Sequence, residues 1–527
     1  MTDSYGRSFL VYLVGTAVIC GAIIMVLEVL GSRVVGPFFG VSLFVWTSLI
    51  TVTLVALAAG YALGGIMSDK KESPDYLYII ILISGFLVLL IPLIKGAVLK
   101  AFQPLGLRSG AFLSATVLFG PSLLLLGCVS PYLVKLAVRE TRKIGRIVGV
   151  FYALSTVGSF VGTVLTGFVL IAYLRVNTIF MIVGTMLVLL AVSYFVIFRK
   201  KIAALAVCLA AVPLLAVSVS GEAKSKVMPN GTTVTEIYNR SSFYGAVKVL
   251  DYSYGQLHTR EMTIDGLVQG GMDVRTRQSV YGFSYVLGLL PYRLNPSGSS
   301  CLVIGLGAGL VPAWFEERGI RTDVVDINPD VVNVAKRYFG FRLAGDIYIE
   351  DARYFLTRVQ KKYDYIILDV YTGDTTPAHL LSREALQLVK ERLTERGILA
   401  INLMTSLTKE SFMTRSILKT LGTVFRTVEM NPLYPAERLE GVGNAVIVAY
   451  DFPFVWPEDD IIRDASVHFL AKEEVSTFAG KRFRFPGGVE AVVLTDEYNP
   501  VDFYDVWLKE KVRRAVLETT DWDMLID

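Results

Sequence analysis

The chain has 527 residues, 53% of them hydrophobic, and a mean hydropathy of +0.53, which excludes an ordinary soluble enzyme. Its net charge of only +4 hides an uneven distribution. Residues 1–221 contain 16 Lys and Arg against 6 Asp and Glu, whereas the remainder contains 35 against 41. The basic part is also the apolar part, so its charge predicts contact with lipid head groups rather than nucleic acid. We therefore expect a membrane half, whose partner is the lipid bilayer, and a soluble half.

Seven apolar segments occupy residues 1–221, each about long enough to cross a hydrocarbon core of ~30 Å as a helix. They lie at 9–30, 42–66, 76–97, 110–134, 147–172, 177–198 and 202–220. Three pairs of glycines four residues apart predict close approach of helix backbones: Gly60/Gly64, Gly145/Gly149 and Gly158/Gly162. Glu28, near the end of the first segment, predicts either an ion pair with Arg33 or a ligand-binding or transport role.

The pattern changes in the second half of the chain. Residues 222–280 alternate like short strands, with a turn at Gly266, and predict a small β-domain. From 281 to 460 strands alternate with helices, which indicates a doubly wound, mainly parallel sheet. Residues 461–527 carry no recognisable motif, and we assign them no role.

The chemistry is predicted at the carboxyl ends of these strands. A buried strand, Cys301–Ile304, runs into a loop with glycines at 305, 307 and 309, and the loop opens a helix. Such glycines let the backbone approach a nucleoside, and an acid that ends the next strand accepts hydrogen bonds from ribose hydroxyls. Three acids stand at successive strand ends: Asp326, Asp351 and Asp369. Alternatively, they are helix caps or solvated turn residues.

The type of cofactor follows from the same loop. Leu310 stands where a dinucleotide-binding loop usually has its third glycine, and no second substrate domain follows the Rossmann unit. An adenosyl-sulfonium compound therefore fits better than a dinucleotide. The chain has three histidines and no Cys/His cluster, so we expect no metal.

At this point the sequence resembles the spermidine synthase family. The matching segments are Ile304–Leu310, Asp265–Gln269, Val325–Asp326, Glu350–Ala352, Tyr365–Asp369 and Pro432–Pro435. Glu28, Gly60–Gly65, Ser130–Pro131 and Asp369–Leu381 resemble the bacterial members that are fused to membrane bundles. The resemblance implies an α-helical transmembrane bundle followed by an α/β Rossmann-like domain of methyltransferase type, behind a small N-terminal β-domain.

The resemblance also implies the site. The co-substrate would be decarboxylated S-adenosylmethionine, or S-adenosylmethionine, and the partner a small-molecule amine; we also expect a homodimer. Asp369 would be catalytic. The cofactor would be bound by Gln269, Gly305, Gly307, Gly309, Asp326, Asp351 and Ala352. The acceptor would be bound by Tyr281, Tyr371, Asp374 and Tyr434.

Four positions depart from the family pattern on the amine side. Ala308 replaces an acid of the glycine-rich loop, Gly245 replaces a Gln, Gly282–Phe283 replaces His-Glu after the tyrosine, and Thr372 replaces a second Asp. Three hypotheses therefore stay open. The protein is an aminopropyltransferase, a transferase that moves another group from S-adenosylmethionine to a membrane-proximal acceptor, or a transporter or sensor with a non-catalytic ligand-binding domain.

The charge of the loops also predicts on which side of the membrane the soluble domain lies. With seven crossings, loops on the N-terminal side hold 11 basic residues and those on the other side hold 7. The positive-inside rule then predicts a cytoplasmic N-terminus and an extracytoplasmic soluble domain. Supply of the cofactor from the cytoplasm argues for the opposite placement.

Overall fold

The computed structural model describes residues 7–40, 43–138, 144–208, 224–242, 244–371, 377–408, 411–434, 442–456, 467–478, 482–485, 490–501, 506–519 and 524. The chain divides into two compact units. The first comprises residues 1–222, 241–245 and 522–527, and the second comprises 223–240 and 246–521.

The first unit consists of long apolar helices. They are α1 (Arg7–Phe39), α2 (Leu43–Lys70), α3 (Pro74–Phe102), α4 (Gly106–Ala137), α5 (Ile144–Leu165) and α6 (Val176–Ile197). A π-helical turn, Thr166–Leu170, and one further turn, Ile171–Tyr173, extend α5. By length and composition, five helical segments of the described chain are compatible with membrane insertion, and one of them, Pro74–Ala137, contains both α3 and α4.

The predicted segments can be compared with these helices. Six of the seven overlap α1 to α6. The segments 76–97 and 110–134 fall in α3 and α4, which pack against each other, with Ser84 Oγ donating to the carbonyl of Ser122 at 3.2 Å. Of the seventh, only residues 202–208 are described, and Ile202–Leu205 form a short 3-10 turn; 209–220 lie outside the described residues.

Glycines bring some of these helices into backbone contact. A Cβ on Gly60 or Gly64 would overlap the backbone of α4, and a Cβ on Gly158 or Gly162 would overlap the backbone of α1. The prediction of close approach is therefore confirmed for these two pairs. It is wrong for Gly145 and Gly149, where an added Cβ would meet nothing within 4 Å.

Glu28 lies on α1 and is partly buried. It forms no hydrogen bond or ion pair with any residue in the described part of the chain, so the predicted ion pair with Arg33 is wrong. The ligand-binding or transport role of Glu28 stays a prediction.

The second unit begins with a five-stranded sheet in the order β1-β2-β3-β4-β5. Its strands are β1 (Ser225–Val227), β2 (Thr233–Ser242), β3 (Gly245–Tyr254), β4 (Leu257–Ile264) and β5 (Leu267–Asp273). The β4–β5 hairpin turns at Asp265 and Gly266, both with positive φ, which suits a tight two-residue turn. The register shifts between Met262 and Thr263, so β5 carries a bulge at Gln269.

A seven-stranded sheet follows in the same unit, in the order β11-β12-β10-β9-β6-β7-β8. Its strands are β6 (Ser300–Ile304), β7 (Arg321–Asp326), β8 (Ile347–Ile349), β9 (Tyr363–Leu368), β10 (Leu393–Ser406), β11 (Thr427–Pro432) and β12 (Val442–Tyr450). Strands β6 to β10 are parallel, whereas β12 is antiparallel to both β10 and β11. This is the methyltransferase-type Rossmann order, and it reverses between β6 and β9, where such sheets open a crevice for ligands.

Helices cover both faces of this sheet. They are α7 (Gly282–Leu294), α8 (Leu310–Glu316), α9 (Pro329–Tyr338), α10 (Ala352–Arg358), α11 (Arg383–Glu391), α12 (Phe412–Val424), α13 (Lys472–Phe478) and α14 (Val506–Thr519). Strand residues alternate between two apolar cores, with Val303 and Ile367 in one and Leu302 and Ile366 in the other. Burial on both faces explains the nearly continuous apolar runs of the central strands.

The C-terminal segment, which has no predicted role, is anchored on the second unit. His468 Nε2 lies 3.2 Å from Asp273 Oδ2, and both side chains are buried. Lys419 donates to the carbonyl of Ala491 at 2.7 Å, and Asn499 donates to the carbonyl of Ala378 at 2.7 Å. These contacts fix the described parts of 467–501 on β5, on α12 and on Ala378.

Candidate functional site

The glycine-rich loop follows β6 at the reversal of strand order. Gly305, Gly307 and Gly309 all have positive φ, a conformation that other residues adopt only with strain. A Cβ on Gly305 would overlap the carbonyl of Asp369, and one on Gly307 would overlap the carbonyl of Gln269. The loop is therefore enclosed by the end of β9 on one side and by the bulge of β5 on the other. The structure brings these predicted cofactor-binding residues together with Asp369.

Asp326, at the end of β7, holds the same loop. Its Oδ2 accepts from the backbone N–H of Leu306 at 2.8 Å, and its Oδ1 accepts from that of Asn328 at 2.8 Å. Burial raises the pKa of this carboxyl group, although the two N–H groups oppose that rise. Asp326 is not a helix cap, because Asn328 caps α9. Each carboxylate oxygen can accept a further hydrogen bond, so ribose binding by Asp326 stays a prediction.

Asp351 differs from the other two strand-end acids. It caps α10 by accepting from the N–H of Tyr354 at 2.9 Å, and its Oδ2 lies 3.3 Å from Nε2 of His379. Its side chain is 41% exposed. The alternative interpretation as a helix cap is therefore confirmed for this residue. Binding of adenine by Asp351 and the adjacent Ala352 is a prediction that the cap neither requires nor prevents.

Asp369 comes directly after β9. Its backbone N–H donates to the carbonyl of Ile304 at 2.9 Å, and its Oδ1 accepts from Asn402 Nδ2 at 2.9 Å. Asn402 in turn accepts from Asn444 Nδ2 at 3.0 Å, so two amides in a row orient one carboxylate. Burial raises the pKa of Asp369 to about 6, and the hydrogen bond from Asn402 opposes this rise. A carboxylate with this pKa can hold an ammonium ion and also accept its proton near neutral pH.

The four predicted acceptor residues fall in different surroundings. The hydroxyl of Tyr371 is buried near Asp369 and close to the backbone of Met404. Tyr434 donates to the carbonyl of Thr405 at 2.9 Å, on the strand that carries Asn402. Tyr281 donates to Glu261 at 2.5 Å. Asp374 lies outside the described residues.

Sequence reasoning missed Asn402, Asn444 and Glu261. Asn402 is buried and ends the apolar run of β10, where a polar residue is costly unless it has a partner. A polar residue within a buried apolar strand was therefore the sequence feature that could have identified Asn402 as part of the site. Glu261 lies in a strand that alternates polar and apolar residues, where an acid is expected to face solvent. Its sequence context therefore did not indicate an enclosed carboxylate.

Comparisons with known proteins agree with this geometry. The sequence model of the spermine/spermidine synthase domain matches residues 270–439. The polyamine aminopropyltransferase of Vibrio vulnificus is 32% identical over 175 residues, which cover 32% of this chain and 56% of that protein. The polyamine aminopropyltransferase of Alkaliphilus metalliredigens is 31% identical over 216 residues, which cover 38% of this chain and 72% of that protein.

A relative with another activity matches a shorter stretch. The N-terminal histidine N-methyltransferase of Emericella nidulans is 35% identical over 139 residues, which cover 25% of each chain. This chain therefore spans only about half the length of the Vibrio protein and a quarter of the Emericella protein.

Together, the strand order and the glycine-rich loop define a Rossmann-like domain of the methyltransferase type. The match to the domain model and the extent of the Alkaliphilus alignment go further: the chain belongs to the spermidine synthase, or polyamine aminopropyltransferase, family. Its N-terminal helical region is an addition to the matched domain.

Proposed function

We propose that the protein transfers an aminopropyl group from decarboxylated S-adenosylmethionine to an amine. The observation that carries the proposal is the position of Asp369. It is an enclosed carboxylate without a basic neighbour among the described residues, it has a pKa of about 6, and it follows β9 where the strand order reverses. Membership of the aminopropyltransferase family supports the same reaction.

The geometry supports a role for each residue in this reaction. The loop of Gly305, Gly307 and Gly309 receives the nucleoside, and Asp326 accepts hydrogen bonds from its ribose. Asp369 holds the incoming ammonium group. The ammonium nitrogen has no lone pair until it loses a proton, and Asp369 accepts that proton. The neutral nitrogen then attacks the propyl carbon that is bonded to the sulfonium; the N–C bond forms, the C–S bond breaks and methylthioadenosine leaves. Alignment of nitrogen with the C–S bond supplies much of the rate.

Residues that depart from the family pattern where the amine would bind favour a second candidate function. Ala308 is buried and has no charge to contact the amine of an aminopropyl group, and Thr372 replaces the second acid of the family motif. The similarity to a histidine N-methyltransferase adds weight to this candidate. In this case S-adenosylmethionine donates a methyl or other group to a membrane-proximal acceptor, and Asp369 again removes the proton.

One experiment separates these reactions. The full-length protein in lipid nanodiscs is incubated with each donor and a panel of amines, and the released nucleoside is identified by mass spectrometry. We expect methylthioadenosine from decarboxylated S-adenosylmethionine, and a rate that rises with pH through about 6 as Asp369 ionises. Release of S-adenosylhomocysteine supports the second candidate. Binding of nucleoside without any product leaves a sensor or transporter, and the proposal of catalysis is then wrong.

The location of the protein is part of the proposal. We propose that the helical segments lie in the cell membrane, and the loop charges support a soluble domain outside the cytoplasm. This placement depends on a seventh crossing at 202–220. Alkaline phosphatase fused after Asp527 should be active, whereas fluorescence from a cytoplasm-only reporter at the same position contradicts the outer placement.

A further inference from the structure

Enclosed carboxylates in the second unit commonly lie beside a basic side chain. The described pairs include Glu236 with Lys248 at 3.3 Å, Asp251 with Arg260 at 2.7 Å and Asp323 with Lys361 at 2.7 Å. Asp326, Asp369 and Glu261 are enclosed without such a partner among the described residues. An enclosed charge without a counterion is costly, and residues that carry this cost are often ligand sites. The proposed function uses Asp326 and Asp369, which leaves Glu261 unexplained.

Glu261 is surrounded by two phenols. Tyr281 donates to its Oε1 at 2.5 Å, and Tyr252 forms a second side-chain hydrogen bond. Burial raises the pKa of Glu261, and both hydrogen bonds oppose the rise. The side chain nevertheless remains partly accessible to solvent. Glu261 is therefore a carboxylate that the protein largely encloses but that solvent still reaches.

A short stretch of β5 connects Glu261 to the glycine-rich loop. Glu261 pairs with Gly271, and a Cβ on Gly271 would lie 2.9 Å from Cγ of Glu261 and 3.0 Å from the ring of Tyr281. The preceding residue, Gly270, would place a Cβ 3.0 Å from that of Ala308 in the loop. Glu261 and the glycine-rich loop therefore contact neighbouring residues of β5.

We propose that Glu261, together with the hydroxyl of Tyr281, binds a primary ammonium group of the substrate. The ammonium supplies the positive charge that no described side chain provides, and the phenol oxygen accepts one of its hydrogen bonds. The identity of the substrate rests on the proposed function. Two sources have this chemistry: the aminopropyl end of the donor and an amine of the acceptor.

Binding measurements on the full-length protein in nanodiscs test the proposal. The probes are decarboxylated S-adenosylmethionine, methylthioadenosine, which lacks the ammonium, and putrescine with butylamine as its single-amine analogue. Glu261→Gln preserves shape and an acceptor for Tyr281 but removes the charge. We expect affinity for an ammonium-bearing probe to fall at least about tenfold, and affinity for methylthioadenosine to stay unchanged. Glu391→Gln is the control, because its side chain is 63% exposed on α11.

Each outcome decides something. If Glu261→Gln loses affinity for decarboxylated S-adenosylmethionine, the bound ammonium belongs to the donor. If it loses affinity for putrescine alone, the bound ammonium belongs to the acceptor. Tyr281→Phe should weaken the same probe to a smaller extent. Unchanged affinity for every probe overturns the proposal, as does loss of methylthioadenosine together with all others, because Glu261 then supports only the fold. A wild-type protein without turnover but with the selective loss keeps the ammonium site and contradicts only the proposed function.

Discussion

Near the amino ends of β7 and β9, Asp323 and Asp364 have hydrogen-bond partners that outweigh the cost of burial, whereas the partners of the acids at the carboxyl ends of the same strands do not. Burial alone would raise the pKa of Asp323, but hydrogen bonds from Lys361, the N–H of Asp346 and Tyr363 outweigh it and lower the pKa. Hydrogen bonds from the N–H of Ser299, from Thr394 and from Ser300 likewise outweigh burial at Asp364.

At the carboxyl ends, burial prevails. The pKa values of Asp326 and Asp369 are raised, and their partners are neutral amides and backbone N–H groups. The fold therefore stabilises carboxylates at one end of the sheet and leaves them under-compensated at the other. At the strand ends where ligands bind, this cost supports the proposal that Asp369 holds a cationic group of the substrate.

The largest expected effect concerns Asp369. Asp369→Asn should lower turnover at least about 100-fold, because the amide cannot accept the proton, and should leave methylthioadenosine binding unchanged. Product formation and nucleoside affinity are measured on the same preparation. Asp364→Asn, at the opposite end of β9, is the matched control and should keep its turnover per folded molecule. A near wild-type rate for Asp369→Asn excludes this residue as the base.

A smaller effect is expected at Asp326. Asp326→Ala should weaken methylthioadenosine binding at least about tenfold, since it removes charge-assisted hydrogen bonds to ribose worth roughly 1.5–3 kcal/mol each. It also removes the acceptor for the N–H of Leu306, which shapes the loop. Calorimetric titration of the full-length protein measures the change. An affinity equal to that of the wild type places the ribose elsewhere.

Replacing an acid at one end of the sheet should also change the stability of the protein in the opposite direction from replacing one at the other end. Asp323→Asn should lower the free energy of unfolding by about 1–3 kcal/mol, because it removes the hydrogen bonds from Lys361 and Tyr363. Asp369→Asn should raise it by a similar 1–3 kcal/mol without ligand above pH 6, because the costly charge is gone. The gain at Asp369 should shrink as pH falls from about 6 to about 4, since the folded wild type is protonated below the first value and the unfolded chain only below the second. If thermal unfolding shows Tm shifts of the same sign for Asp323→Asn and Asp369→Asn, the contrast between the two ends of the sheet is contradicted.

Much of this arrangement was predictable because periodicity and strand-end motifs report local structure. The alternation of apolar strands with helices predicted the sheet. The glycines, together with Asp326 and Asp369, predicted the residues that meet where its strand order reverses. Contacts between distant segments leave no local pattern. Asn402 and Asn444 meet only because β12 returns antiparallel to β10, and Glu261 meets Tyr281 across the β5 strand.

The helical half shows the same limit. Glycines four residues apart occur both where helices touch and where they do not. Gly158 lies against the backbone of α1, whereas Gly145, earlier in the same helix α5, faces open space. The spacing permits a close approach, but the identity of the neighbouring helix decides whether one occurs. Glu28 is similar, because its sequence neighbour Arg33 is not its partner in the fold.

The most direct test of the central claim, that Asp369 binds a cationic group of the substrate, is a count of the protons released on binding. Calorimetric titration of the full-length protein with decarboxylated S-adenosylmethionine near pH 6, in two buffers of different ionisation enthalpy, gives this count. A bound cation lowers the pKa of Asp369 from about 6, so the wild type should release a measurable fraction of a proton. Asp369→Asn should release much less, as should the wild type with uncharged methylthioadenosine. Equal proton release by the two proteins, or none from the wild type, contradicts the claim.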